Sequence, residues 1–289
     1  MTLGNVIPDW MLSLVAAATL FVVMLDLGIV IVPSEFRWVI RRPLLMARAL
    51  FAVLIAVPVI VWVVATTFEL PRLVEIGMML IAITPGAPIA LRNSLNAGGH
   101  RAFAPALQIA VACSAIVSIP AWIAGLDEYY AGAASVDPRH LGRQVVVAQL
   151  LPLALGLAMR RWLPRASARL EPVLQRVGSL LLVLLLALVL VDVHEMVIGA
   201  GMRAAAAIIA ATVLALLVGH LLGGPDETTR TATAISSASR NTGLALLVAT
   251  LNNAAPAIIA TVLAYFVLSG TTVIAYALWR RHQAFATIN

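Results

Sequence analysis

Apolar runs about 20 residues long follow one another along the whole chain, divided by short segments carrying Arg, Asp, Glu, Pro and Gly. At about 1.5 Å per residue such a run crosses the hydrocarbon of a bilayer, where a helix satisfies its own backbone polar groups. The pattern predicts an all-α membrane protein with nine transmembrane helices. They lie at Trp10–Val32, Pro43–Thr66, Pro71–Ala97, Arg101–Gly125, His140–Trp162, Pro172–Val193, Gly201–Leu222, Glu227–Leu251 and Pro256–Arg280. No polar segment is long enough for a separate soluble domain.

The third and eighth runs are long and interrupted. In the third, Thr84-Pro85-Gly86-Ala87-Pro88 removes two backbone donors and adds a glycine, so a continuous helix is not expected. In the eighth, Ser236, Ser237, Ser239, Asn241 and Thr242 compete for helix hydrogen bonds and Gly243 weakens the helix further. Each interruption also carries a full charge followed by Asn: Arg92-Asn93 and Arg240-Asn241. An Arg at mid-bilayer costs roughly 2.5–3.5 kcal/mol on the insertion scale, so it is expected to face protein, water or an anion. Two broken spans an odd number of spans apart predict inverted-topology repeats around a central polar site, the arrangement of a transporter. Small and polar residues in a span also serve plain helix packing.

Composition narrows the class. Of the 289 residues, 62% are hydrophobic and 11% charged, against about 25% charged in soluble domains. All 19 basic residues are Arg, and the net charge is +6. Most of them cluster in or beside short loops, which is a topology signal and not a nucleic-acid patch. Arg37, Arg41, Arg42, Arg101, Arg160, Arg161, Arg165, Arg169, Arg230, Arg280 and Arg281 fall on one side. The other side is largely acidic, which predicts an outside N-terminus and a cytoplasmic C-terminus. The first apolar run lacks a basic n-region and reads as a retained helix. A lone Cys113 excludes an intramolecular disulfide or a thiolate metal cluster. His194-Glu195 opens like a zinc-protease motif, but Ile198 stands where its second His belongs. No Walker loop or nucleophile elbow is present, so neither catalysis nor ATP-driven transport is expected. Trp10, Trp62, Trp122, Trp162 and Trp279 fall near span ends as interfacial anchors.

Three motifs, in order and spacing, resemble the bile acid:sodium symporter family over almost the whole chain. Pro33-Ser34-Glu35-Phe36-Arg37-Trp38-Val39-Ile40-Arg41-Arg42-Pro43 resembles its first cytoplasmic loop. Thr84-Pro85-Gly86-Ala87-Pro88 is similar to its Pro-Gly-Gly turn, and Arg240-Asn241-Thr242-Gly243-Leu244-Ala245 to its Gln-Asn-Ser/Thr-Gly-Leu-Ala signature. The resemblance implies core and panel domains with two broken helices crossing in the core. It implies a first repeat at 1–125, four helices with the family's first helix missing, and a second at 140–281 with five. Together they form one transmembrane domain in a bacterial inner membrane.

The departures from that family concern sodium. A gap-free match puts Ala90 and Leu91 where relatives carry a Ser-Asn pair of sodium ligands, and Ala104 and Gln108 where they carry hydroxyls. Ser236 and Arg240 replace a Glu and a Gln, and Val53 replaces a Gln of the second span. A guanidinium beside a sodium ion costs roughly 4 kcal/mol at about 4 Å and an effective dielectric of 20. The usual sodium sites are therefore expected to be lost, with no metal or cofactor in their place and the two Arg side chains as built-in cations. Two other roles stay open for Arg240: a planar fork for an anionic substrate, or an internal ion pair, for example with Asp26. Arg92 lies either beside the site or toward the headgroups. Asp26 either pairs with an Arg or relays protons, and Glu75 is expected to be a solvated or capping residue. Gln108 and Asn252 line the cavity or hold helices together.

The expected activity is secondary transport of a small organic anion. Substrate would contact Asp26, Arg92, Asn93, Gln108, Ser236, Ser237, Ser239, Arg240, Asn241 and Thr242. Thr84, Pro85, Gly86, Pro88 and Gly243 would shape the breaks. The partners are the anion and the lipid bilayer, with no nucleic acid. The rival readings are a proton-coupled or facilitative carrier and a membrane sensor that binds without translocating.

Overall fold

The computed structural model describes residues 9–30, 38, 40–129, 143–199 and 201–286, with the backbone alone at 9, 127, 189–199 and 284–286. His194 and Glu195 therefore have no described side chains, and most of the 33–39 motif lies outside the described residues. Every described element is a helix. They are α1 (Asp9–Val30), α2 (Pro43–Thr67), α3 (Arg72–Ala82), α4 (Pro88–Asn96), α5 (Phe103–Tyr129), α6 (Arg143–Trp162), α7 (Pro164–Gly199), α8 (Gly201–Leu222), α9 (Glu227–Ala238), α10 (Thr242–Leu251) and α11 (Pro256–Ala286). Seven of these (α1, α2, α5, α6, α7, α8 and α11) are long and apolar enough to cross a membrane.

The other four are two pairs of short helices, each pair separated by a break. Residues 84–87 are non-helical, with Gly86 at a φ of +83° that a side chain would strain. Pro88, expected inside the break, is the first residue of α4, where its missing N–H costs nothing. The second break covers Ser239 to Asn241. Gly243 lies past it, as the second residue of α10, because Asn241 caps the helix: its Oδ1 accepts from the Leu244 N–H at 3.1 Å. The two breaks touch. The Asn241 backbone N–H donates to the Thr84 carbonyl at 2.9 Å.

Among the described residues two helices carry a π turn, at Ala52–Ala56 in α2 and Val146–Leu150 in α6, and Pro58 and Pro152 follow just beyond. The first exposes carbonyls to side chains from elsewhere, and the Trp122 indole donates to Leu54 O at 2.8 Å. Trp122 is therefore an internal contact between α5 and α2 as well as a span-end residue. α7 begins at Pro164 and runs through Pro172, eight residues before its expected start, so Arg165 and Arg169 lie on a helix rather than in a loop.

Lipid tails are as apolar as Leu, so helices in a bilayer gain by close backbone approach. α1 packs on α6 and α7. Its crossing with α6 is glycine on glycine: a Cβ on Gly28 would lie 2.3 Å from Leu153 O, and one on Gly156 2.3 Å from Leu25 O. α11 packs on α3, α7, α8 and α10, and α8 packs on α2 and α9. The α8–α9 contact uses Gly219, whose added Cβ would meet Ala234 Cα at 2.6 Å. Arg280, expected as a loop charge, is buried and ties α11 to α9 through Glu227 at 2.6 Å and Thr231 at 2.9 Å.

Candidate functional site at the crossing of two broken helices

A helix that stops in the membrane interior leaves its last carbonyls without partners and a partial negative charge at that end. α3 and α9 both stop this way, and Arg240 answers both. Its guanidinium donates to Ala82 O at 3.1 Å, to Ser237 O at 2.5 Å and to Val53 O, in the π turn of α2, at 3.0 Å. Arg240 is 4% exposed and forms no ion pair among the described residues. About half a negative charge at each helix end makes roughly one unit opposite one guanidinium. The expected alternative of an Arg240–Asp26 pair is not what forms.

The opposite ends of the crossing are positive. The N-termini of α4 and α10 line one cleft together with Thr19, Leu20, Val23, Leu182, Arg240 and Phe266. Arg240 Nε–H, Asn241 Nδ2 and Thr242 Oγ, from residues that line this cleft, are buried without partners among the described residues. Donors of that kind beside two helix N-termini suit an anion.

Val23, Pro88, Ile89 and Leu182 also line a second cleft, which makes the two one trough along α1. At its far end Arg92 of α4 pairs with Asp26 of α1 at 2.5 Å. The trough thus brings together Asp26, Arg92, Arg240, Asn241, Thr242, Pro88 and Gly243. Ser236, Ser237 and Ser239 are buried but outside it, and the Ser237 hydroxyl faces Gly219 of α8. Asn93 is partly buried on α4 and lines neither cleft. Gln108 shapes the break, since its amide donates to Ala87 O at 2.9 Å. Asn252 joins α10 to Gln144 of α6. Glu75 is 8% exposed in the first turn of α3, so it is a buried carboxyl at a positive helix end and not a solvated one.

Ala90, Leu91 and Ala104, at the positions matched to sodium ligands, are buried apolar side chains with no oxygen to offer. No cluster of three His, Cys, Asp or Glu suited to a metal occurs among the described residues. One polar residue escaped the sequence reading. Gln149, in the π turn of α6, is fully buried beside Gly86, and both its amide atoms lack partners among the described residues. A lone Gln in an apolar run gave no signal; the π turn that turns it inward is a product of packing.

The model of the sodium bile acid symporter family matches residues 17–200. Among curated proteins, none matches the chain.

Proposed function

The chain belongs to the sodium bile acid symporter family, and from that premise we propose that it carries a small organic anion across the membrane by alternating access, without sodium. Family and apolar helices together make it a multi-pass membrane transporter. In this proposal the two broken pairs join the seven long helices to make nine crossings. These fall into inverted repeats at 1–125 and 140–281, with the N-terminus outside and the C-terminus in the cytoplasm. α1, α6 and α7 are the panel, and the remaining helices are the core that moves against it.

The observation that carries this reading is Arg240 on the carbonyl ends of α3 and α9. Carbonyls at half-helix C-termini are where transporters of this kind hold their coupling cation. Here a side chain fills that place permanently, while the N-terminal ends of α4 and α10 are left for the anion. Ala90, Leu91 and Ala104 support the same conclusion, because a sodium ion would find no side-chain oxygen there.

Uptake of labelled organic anions into proteoliposomes is expected to be equal with sodium and with choline as the external cation. A sodium-stimulated rate would refute the reading, and binding without uptake would assign the chain to sensing. Replacing Arg240→Gln together with Ser236→Glu is expected to make uptake sodium-dependent.

A further inference from the structure

Asp26–Arg92 is the one ion pair among the described residues that spans the trough; the other two join Glu227 to Arg230 and Arg280. Its carboxylate sits on α1 and its guanidinium on α4, on opposite sides of the trough. The two partners are unequally placed. The Arg92 side chain is 33% exposed and that of Asp26 is 10%. A ligand in the trough can therefore reach the guanidinium, whereas Asp26 has little water to fall back on.

Among the described residues Asp26 has no other cation to pair with. Its Oδ1 is buried and without a partner among the described residues. Arg92 from α4 and Glu171 from α7 are the charged groups that act on it among the described residues, and Glu171 has the wrong sign to help. α6 and α10, also packed on α1, present no charge to it. An isolated carboxylate in such a setting does not stay charged; it takes up a proton.

Resting on the transport reading, we propose that Arg92 is a substrate-binding residue whose guanidinium passes from Asp26 to the anionic group of the substrate, and that Asp26 takes up one proton as it does so. The ligand is a small amphipathic carboxylate or sulfonate, its charge on Arg92 and its apolar part against Val23, Leu27, Ile89 and Leu182. The charges balance: one anion and one proton enter together, Arg92 stays charged throughout, and Asp26 goes from carboxylate to carboxylic acid. Each proton is therefore bound with one anion, which couples transport to the pH gradient.

The test uses the full chain in detergent with hexanesulfonate, which stays ionised, so that any pH dependence belongs to the protein. Wild-type affinity is expected to be about tenfold or more higher near pH 5 than near pH 8. One proton should leave a weakly buffered solution for each hexanesulfonate bound. Asp26→Asn, which mimics the protonated acid, should bind tightly at both pH values with no proton uptake. Arg92→Gln should bind about tenfold more weakly or worse. The double variant Asp26→Asn/Arg92→Gln buries no lone charge and serves as the folded control, expected to show neither tight binding nor proton uptake. Equal wild-type affinity at both pH values, proton uptake that persists in Asp26→Asn, full affinity in Arg92→Gln, or no binding of hexanesulfonate would each overturn the proposal. Sodium-independent flux without proton uptake would leave the transport reading standing and remove this one. Proton-linked binding without flux would do the reverse.

Discussion

Arg240 puts one guanidinium on three backbone carbonyls. They belong to three different helices, α2, α3 and α9. A buried acceptor left without a donor costs about 1–3 kcal/mol, while removing a buried charge recovers part of that. Arg240→Met is therefore expected to destabilise the protein by about 2 kcal/mol, read as a lower melting temperature in detergent. The loss should be the same with or without sodium. Rescue of Arg240→Met by sodium would mean that the carbonyl cage still accepts the ion.

At the scale of the element, the breaks and close crossings decide the geometry. The α1–α6 crossing leaves no room for a Cβ at Gly28 or Gly156, since each would fall 2.3 Å from a backbone oxygen. Overpacking of this kind costs about 1–3 kcal/mol, so Gly156→Ala is expected to lower the melting temperature clearly. Gly125→Ala makes the control. Nothing lies within 4 Å of its added Cβ, and alanine favours a helix, so its stability should stay level or rise slightly. Equal effects from the two would dissolve the packing argument.

At the scale of the molecule, one residue joins the segments at one end of the bundle. His100 sits between α4 and α5, donates its backbone N–H to Thr228 O at 3.1 Å and stacks its ring on Trp38 with ring centroids 4.1 Å apart. Its Nδ1 accepts from the N–H groups of Ala102 and Phe103, capping α5, which requires an unprotonated Nδ1. Burial first, and then the nearby Arg42 guanidinium, hold its pKa below the ordinary 6.5, against a smaller opposite pull from Asp226. A depressed histidine pKa means that the folded state binds the proton less well than the unfolded one. Its contribution is thus complete above 6.5 and is lost as pH falls below that value. Wild-type protein should lose melting temperature on acidification from neutral pH, and His100→Asn, which keeps a capping oxygen, should lose less. A steeper acid loss in the variant would contradict this role for the ring.

The local character of the chain was enough for much of this. Runs of apolar residues near bilayer length placed most of the long helices within a few residues, though α7 starts eight residues early and α11 runs on to Ala286, and Thr84-Pro85-Gly86 and Ser239-Arg240-Asn241 marked both breaks, because span length and helix breaking depend on neighbours in sequence. The motifs at those breaks pointed to the family that the match over 17–200 then showed. Partners were another matter. Arg240 finds its carbonyls 158 and 187 positions away, and Arg92 finds Asp26 66 positions away. The π turn that turns Gln149 inward and the glycine contact that seats α1 on α6 are settled by packing between distant segments. Which charge meets which ligand is a property of helices brought together, since a guanidinium binds whatever acceptor the assembled bundle leaves unsatisfied within its reach.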